Sequence, residues 1–196
     1  MQIRFASWAT GALLLLIHAP VDAAAVLRGP LPAPLVEDSS WWRTDISSAP
    51  VDPSSAAYIA FIGTNRGLHP DFGGYVTPCE IYGFPYVTVD AAQPRHAVSF
   101  DYADESDGVD AAGNGIPFYP IPEAAKSECG WIEGGPAGSQ DVGGDRHMLI
   151  HDTDNDSLYE LYALHWDGVR WTAGSGAFFD LKTNRRRPEG WTSADA

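Results

Sequence analysis

Residues 144–164 read GDRHMLIHDTDNDSLYELYAL, and their pattern decides the fold class. Two apolar runs, 148–150 and 158–164, flank Asp152-Thr153-Asp154-Asn155-Asp156. The first run is short, the second is rich in Tyr and Leu, and the residues between them favour turns. The stretch therefore predicts strand, acidic turn, strand. Side chains alternate between the two faces of a strand. His147, Leu149 and His151 then share one face, and Leu158, Glu160, Tyr162 and Leu164 share a face of the return strand. A register that joins the polar sets lines one surface with His147, His151, Glu160 and Tyr162. The sequence leaves that register open.

Further strands are predicted on either side of this hairpin. Residues 82–89 read as a strand with an edge-type Pro85, 96–102 as a second, and 177–181 as another. Asp167-Gly168 marks a turn between Trp166 and Trp171, and Gly174-Ser175-Gly176 reads as a glycine-rich bend. Residues 56–62 fit a short capped helix or a strand equally well. Trp41 and Trp42 point to opposite faces if extended, which predicts one in the core and one exposed. No long helical period is present, and 20 glycines and 15 prolines punctuate the chain. The expected class is mostly β: a β-sandwich or related antiparallel sheet fold with long irregular loops.

The 196 residues suffice for one domain with a core, and 44% hydrophobic residues argue against disorder throughout. Residues 1–25 have the form of a secretory leader: Arg4 in the leading segment, an apolar stretch over 11–17 too short to span a bilayer, and Ala23-Ala24-Ala25 at the cleavage position. Residues 26–40 form a Pro-rich linker, with Pro30, Pro32 and Pro34 favouring an extended chain. Residues 41–196 are one β-rich domain. Its end, with Thr192 or Ser193 in the form of a helix cap and no helix after it, predicts that the domain continues beyond residue 196. Export makes a disulfide between Cys79 and Cys129, the only two cysteines, the expected pairing. The net charge of −14 disfavours nucleic acid and anionic membranes as partners; it suits neutral sugars, cations or basic partners.

From Trp42 onward the chain resembles a family of secreted bacterial proteins of uncharacterised function. The stretches that carry the likeness are RTDISSAPVDPSSA, GLHPDFG, FPYVTV, FDYADESD, FYPIP, WIEGG, GDRHMLI, LYELY, GSGAFFDL and RRPEGWTSADA. They follow one another through nearly all of the chain after the linker. Members of the family look like longer proteins, which fits the unfinished helix cap. The chain departs from the family pattern by an insertion-like stretch at 109–115 and by Cys129 before the Ile-Glu-Gly-Gly piece. The resemblance implies no activity and no site residues.

The chemistry-bearing residues suggest two functions. Glu160, Asp145 and Glu133 are candidate acid/base carboxylates. Glycoside hydrolysis requires two carboxyl groups flanking one bond, and the pair expected here is Glu160 with Asp145, His147 positioning a sugar hydroxyl. His69 and Asp71, on a proline-stiffened loop, join His151 and Tyr162 as candidate substrate-binding residues. No HExxH sequence or cysteine cluster supports zinc, no glycine-rich loop supports a phosphate ligand, and Ser175 lacks the setting of a nucleophile elbow. Asp152, Asp154 and Asp156 have the spacing that opens a calcium loop, but Ser157 and Ala163 stand where that loop needs Gly and Glu. A weak calcium site is expected only if the acidic loops 104–110 and 152–156 leave neighbouring strands of one sheet at the same end. One function is then a secreted protein that acts on or binds extracellular polysaccharide; the alternative is a non-catalytic cell-surface or matrix module. Seven tryptophans supply faces on which sugars can stack.

Overall fold

The hairpin at 144–164 forms as its pattern dictates. Strands β5 (Met148–Asp152) and β6 (Ser157–Tyr162) pair antiparallel, with Met148 opposite Leu161, Leu149 opposite Glu160 and His151 opposite Leu158. Asp152 organises the turn between them. Its Oδ1 accepts the Asn155 backbone N–H at 3.1 Å and its Oδ2 accepts the Asn155 amide at 2.8 Å. Asp156 then takes φ 46°, the left-handed conformation that Asp tolerates better than most residues. This is an acidic turn in which the leading carboxylate serves its own backbone.

The computed structural model describes residues 35–67, 74–75, 79, 81–82, 84–136, 138 and 144–191. Residues 1–34, which hold the expected leader and the first part of the expected linker, and His69, Asp71, Thr192 and Ser193 lie outside the described residues. The remaining elements are α1 (Ser55–Ile62), β1 (Gly74–Tyr75), β2 (Ile81–Tyr82), β3 (Tyr86–Val89), β4 (Val98–Phe100), β7 (His165–Trp166), β8 (Trp171–Ala173) and β9 (Ser175–Asp180). The chain is mostly β, as the sequence predicts. The strands form a four-stranded sheet β3-β5-β6-β9, a three-stranded sheet β4-β8-β7 and the two-stranded β1-β2. Both larger sheets are mixed: β3 runs parallel to β5, and β4 parallel to β8. A parallel pair needs a long crossover, and here residues 90–147 and 101–170 supply it.

One core joins the two larger sheets. Val87, Met148, Ile150, Tyr159 and Leu161 from the first meet Val98, Trp171 and Ala173 from the second, with Tyr119, Ile121 and Ile132 of the irregular segment among them. Phe118, Tyr119, Tyr159 and Phe178 pack edge to face or tilted, their ring centroids 5.1 to 5.9 Å apart. Arg95 ties this cluster to the hairpin turn: it donates to the Tyr159 hydroxyl and the Phe118 carbonyl and pairs with the fully buried Asp152 at 3.2 Å.

Several local readings are corrected. Gly174-Ser175-Gly176 is not simply a bend, because Ser175 and Gly176 open β9. Gly176 belongs there for close approach: a Cβ would overlap the Tyr119 hydroxyl and stand 2.8 Å from Phe100 Cζ. Trp41 and Trp42 do not divide between core and solvent. They lie in a 3₁₀ turn, Trp41–Arg43, both are exposed, and their rings stack at 4.5 Å. The Ser40 hydroxyl caps the turn by accepting the Trp42 N–H, so the assumed extended backbone never forms. Residues 56–62 settle as a helix, α1. It is apolar on every side, and none of its residues is buried. Residues 82–89 divide into β2 and β3 around Pro85, and the strand predicted at 96–102 shortens to β4.

Candidate functional site

Alternation along the hairpin separates an inner from an outer face. Met148, Ile150, Tyr159 and Leu161 point into the core. The register places His151 and Leu149 on the opposite face with Leu158 and Glu160, and the His147 and Tyr162 rings lie 5.8 Å apart beyond them. The sequence left this register open; the structure gathers His147, His151, Glu160 and Tyr162 on one face. That face is not a wet surface. His147, His151 and Glu160 are all buried.

Two segments remote in sequence cover one end of it. Residues from 35–42 and 183–187 line, together with β6 and β9, a half-open cavity of about 690 Å³. Its lining includes Leu158 and Glu160 of β6, Trp41 and Trp42, and Asn184 with Arg185, Arg186 and Arg187. Asn184 links the walls: its Oδ1 accepts the Trp41 backbone N–H at 3.2 Å, and its Nδ2 donates to the Ser39 carbonyl at 2.9 Å. Leu35 and Val36, read from sequence as the end of the linker, pack here as part of the wall. A volume of this size lies within the range of small-molecule pockets.

His147 is held by a carboxylate. Its Nδ1 lies 2.8 Å from Glu133 Oε2. A carboxylate only accepts, so Nδ1 donates. Nε2 is buried and has no hydrogen-bond partner among the described residues. Phe84 meets the ring edge-on at 4.5 Å. Glu133 therefore fixes the orientation of an imidazole packed against two aromatic rings. Sequence reading had named both residues without joining them.

Glu160 and Asp145 are not brought together across one cleft. Asp145 is exposed, and its carbonyl accepts the Ala163 N–H at 2.8 Å. Ala163 is three residues beyond Glu160, about 10 Å along a strand. Alternation also fails there, because Arg146 and Ala163 both take positive φ, 56° and 53°. The premise of the calcium expectation fails in the same way: the strands that follow Arg95-His96 and Arg146-His147 fall in different sheets. In the first loop Asp110 accepts the Ala112 and Asn114 N–H groups. Among the described residues no three His, Cys, Asp or Glu side chains are grouped to hold a metal ion.

Three other imidazoles give the fold a pH dependence. His96, His151 and His165 are each held below the ordinary histidine range, first by burial. Glu123 opposes this at His96 and Asp156 at His151, whereas Arg146 adds to it at His165. An unfolded imidazole titrates near about 6.5. A folded value below that favours the neutral ring, so this contribution is complete above the unfolded pKa and is lost as pH falls through and below it. Each histidine can add a slope of up to about 1.4 kcal/mol per pH unit in that window. The thermal midpoint is expected to fall between neutral and mildly acid buffer, and His151→Gln should reduce the fall. Equal midpoints in the two buffers would contradict the assignment.

Compared with protein-family models, curated proteins and solved structures, the chain matches none.

Proposed function

We propose that this is an extracytoplasmic carbohydrate-binding protein whose ligand is a polysaccharide of the cell envelope or its surroundings. The observation that carries the reading is the cavity of about 690 Å³, whose lining brings together Glu160, the stacked Trp41 and Trp42, and Asn184. Sugars present C–H faces that stack on indoles and hydroxyls that bond carboxylates and amides. The cavity combines both kinds of group.

The compartment reading rests on the leader-like residues 1–25 and on the disulfide between Cys79 and Cys129, a bond that persists in oxidising surroundings. No helix among the described residues is long and apolar enough to cross a membrane. Binding rather than hydrolysis is proposed, because Asp145 lies away from the cavity that Glu160 lines.

Titration with a panel of soluble oligosaccharides, read by tryptophan fluorescence and calorimetry, tests the reading. At least one sugar should quench the emission saturably. Trp41→Ala and Glu160→Gln should each weaken that sugar by about tenfold or more, a change of about 1.4 kcal/mol. Absence of binding across the panel, or affinity unchanged in both variants, would overturn it.

A further inference from the structure

The charge around this cavity is anomalous for the chain. The protein carries 26 acidic against 12 basic residues. In so acidic a molecule an arginine has carboxylates to spare, and several arginines use them: Arg43 pairs with Asp38, Arg95 with Asp152 and Arg170 with Asp167. Around the cavity the balance reverses. Three guanidinium groups, Arg185, Arg186 and Arg187, line it against two carboxylates, Glu160 and Asp180.

Only one of the three arginines is neutralised by a described carboxylate. Arg187 pairs with Asp107 at 2.9 Å and donates to the carbonyls of Glu105 and Gly176, which fixes it to the body of the fold. Arg185 and Arg186 are exposed and form no ion pair among the described residues. Arg186 instead lies over the Trp41 ring, 5.5 Å from its centroid. Asp180 is turned toward its own chain and accepts the Lys182 N–H at 3.0 Å. Two cations therefore stand at the edge of an aromatic cavity, in a protein whose net charge is −14. A guanidinium fork matches a carboxylate in two parallel hydrogen bonds.

We propose that the ligand of this cavity is an acidic sugar, a uronic-acid oligosaccharide. Its carboxylates meet Arg185 and Arg186, a sugar face stacks on the exposed side of the Trp42 ring in the Trp41–Trp42 pair, and hydroxyls reach Glu160. The division of charge is the reason for the order: a uronate carboxylate is repelled by Glu160 and drawn to the exposed guanidinium groups. The local positive field also lets an anion approach a protein whose overall charge opposes it. This inference rests on the sugar-binding reading above, and its test separates the two.

The test is calorimetric titration with trigalacturonate, cellotriose and inorganic tripolyphosphate, at low salt and at about tenfold higher salt. The Arg185→Gln/Arg186→Gln double variant is run in parallel, its folding checked by thermal melting. Both arginines are exposed, so an unchanged midpoint is expected. Trigalacturonate should bind at least about tenfold more tightly than cellotriose. That preference should shrink at high salt and disappear in the double variant, while Trp41→Ala weakens both sugars. Cellotriose binding as tightly as trigalacturonate, with no salt effect, overturns the acidic-sugar inference and leaves the sugar-binding reading standing. Trigalacturonate affinity unchanged in the double variant also overturns the inference. Tripolyphosphate binding as tightly as trigalacturonate shows charge attraction without sugar recognition and overturns both readings, as does no binding of either sugar.

Discussion

Replacing Cys79 and Cys129 together by alanine is expected to lower the free energy of unfolding by about 4 kcal/mol. The bond joins residues 50 apart, with Cα atoms 4.6 Å from one another. Cutting it frees a loop of that length in the unfolded chain, and loop-closure entropy gives the magnitude. The folded state also loses a local anchor. Among the described residues strands β1 and β2 pair only with each other, two residues on each side, and an isolated hairpin of that size is marginal in water. Cys79 precedes β2 by two residues, and Cys129 follows the 3₁₀ turn Glu123–Lys126 beside the core residues Trp131 and Ile132. Besides the backbone into β3, the bond is thus a second covalent tie between that hairpin and the body of the fold. Urea unfolding measures the global loss. Amide exchange separates the local part: protection in β2 should fall further than protection in β5 and β6. Cys79 is exposed, so reduction of the native protein should reproduce the variant. A double variant within about 1 kcal/mol of the parent would remove the disulfide as a main support.

The parts of this molecule that were legible in its sequence are those whose determinants are local. The β5–β6 hairpin follows from alternation and from an Asp-rich turn, and it forms with Asp152 bonding Asn155. Asp167-Gly168 likewise turns β7 into β8, with Asp167 Oδ1 accepting two backbone N–H groups at 2.8 Å. Strand order was not legible. Nothing local in the YVTV of β3 or the VSF of β4 records that its partner lies more than sixty residues onward and runs parallel.

The outer face illustrates the same limit on the candidate site. Parity gave two sets, His147 with His151 and Glu160 with Tyr162, and the register that the sequence leaves open joins them. Polar residues on one face suggested solvent, however, and the face is covered. The cover at its Glu160 end comes from residues 35–42 and 183–187, joined through an Asn184 contact to a residue 143 positions away. Two unusual local runs mark those segments, Trp41-Trp42 and Arg185-Arg186-Arg187. Adjacent tryptophans beside a capping serine, and a basic run in an acidic chain, are signals that direct attention to the right places. They do not say that the two meet.

Arg146 carries the second large effect. Its side chain is almost fully enclosed, 2% exposed, and its donors go to carbonyl oxygens: Nε to Leu164 at 3.2 Å, Nη1 to Glu133 at 3.4 Å and Nη2 to Pro136 at 2.9 Å. The guanidinium thus joins the end of the hairpin to the loop that carries Glu133. Burial pulls its pKa below the usual arginine range, and the neighbouring Glu133 carboxylate partly restores it. Truncation leaves several enclosed carbonyls without this donor and removes a cation from beside Glu133. Breaking such a buried arrangement from one side costs about 3 to 5 kcal/mol. The backbone decides how two truncations compare, since φ at Arg146 is 56°. Alanine keeps the left-handed strain that arginine already carries there, and glycine relieves about 1 kcal/mol of it. Arg146→Ala should therefore lose the side-chain part alone, and Arg146→Gly slightly less. Arg146→Lys keeps the charge without the planar fork and should fall between Arg146→Gly and the parent. The same loss loosens the loop that holds Glu133 against His147, so the Nδ1 proton resonance of His147 should weaken or exchange faster in Arg146→Gly. A glycine variant within about 1 kcal/mol of the parent in urea, with that resonance unchanged, would show that the buried guanidinium holds neither the hairpin nor the pair in place.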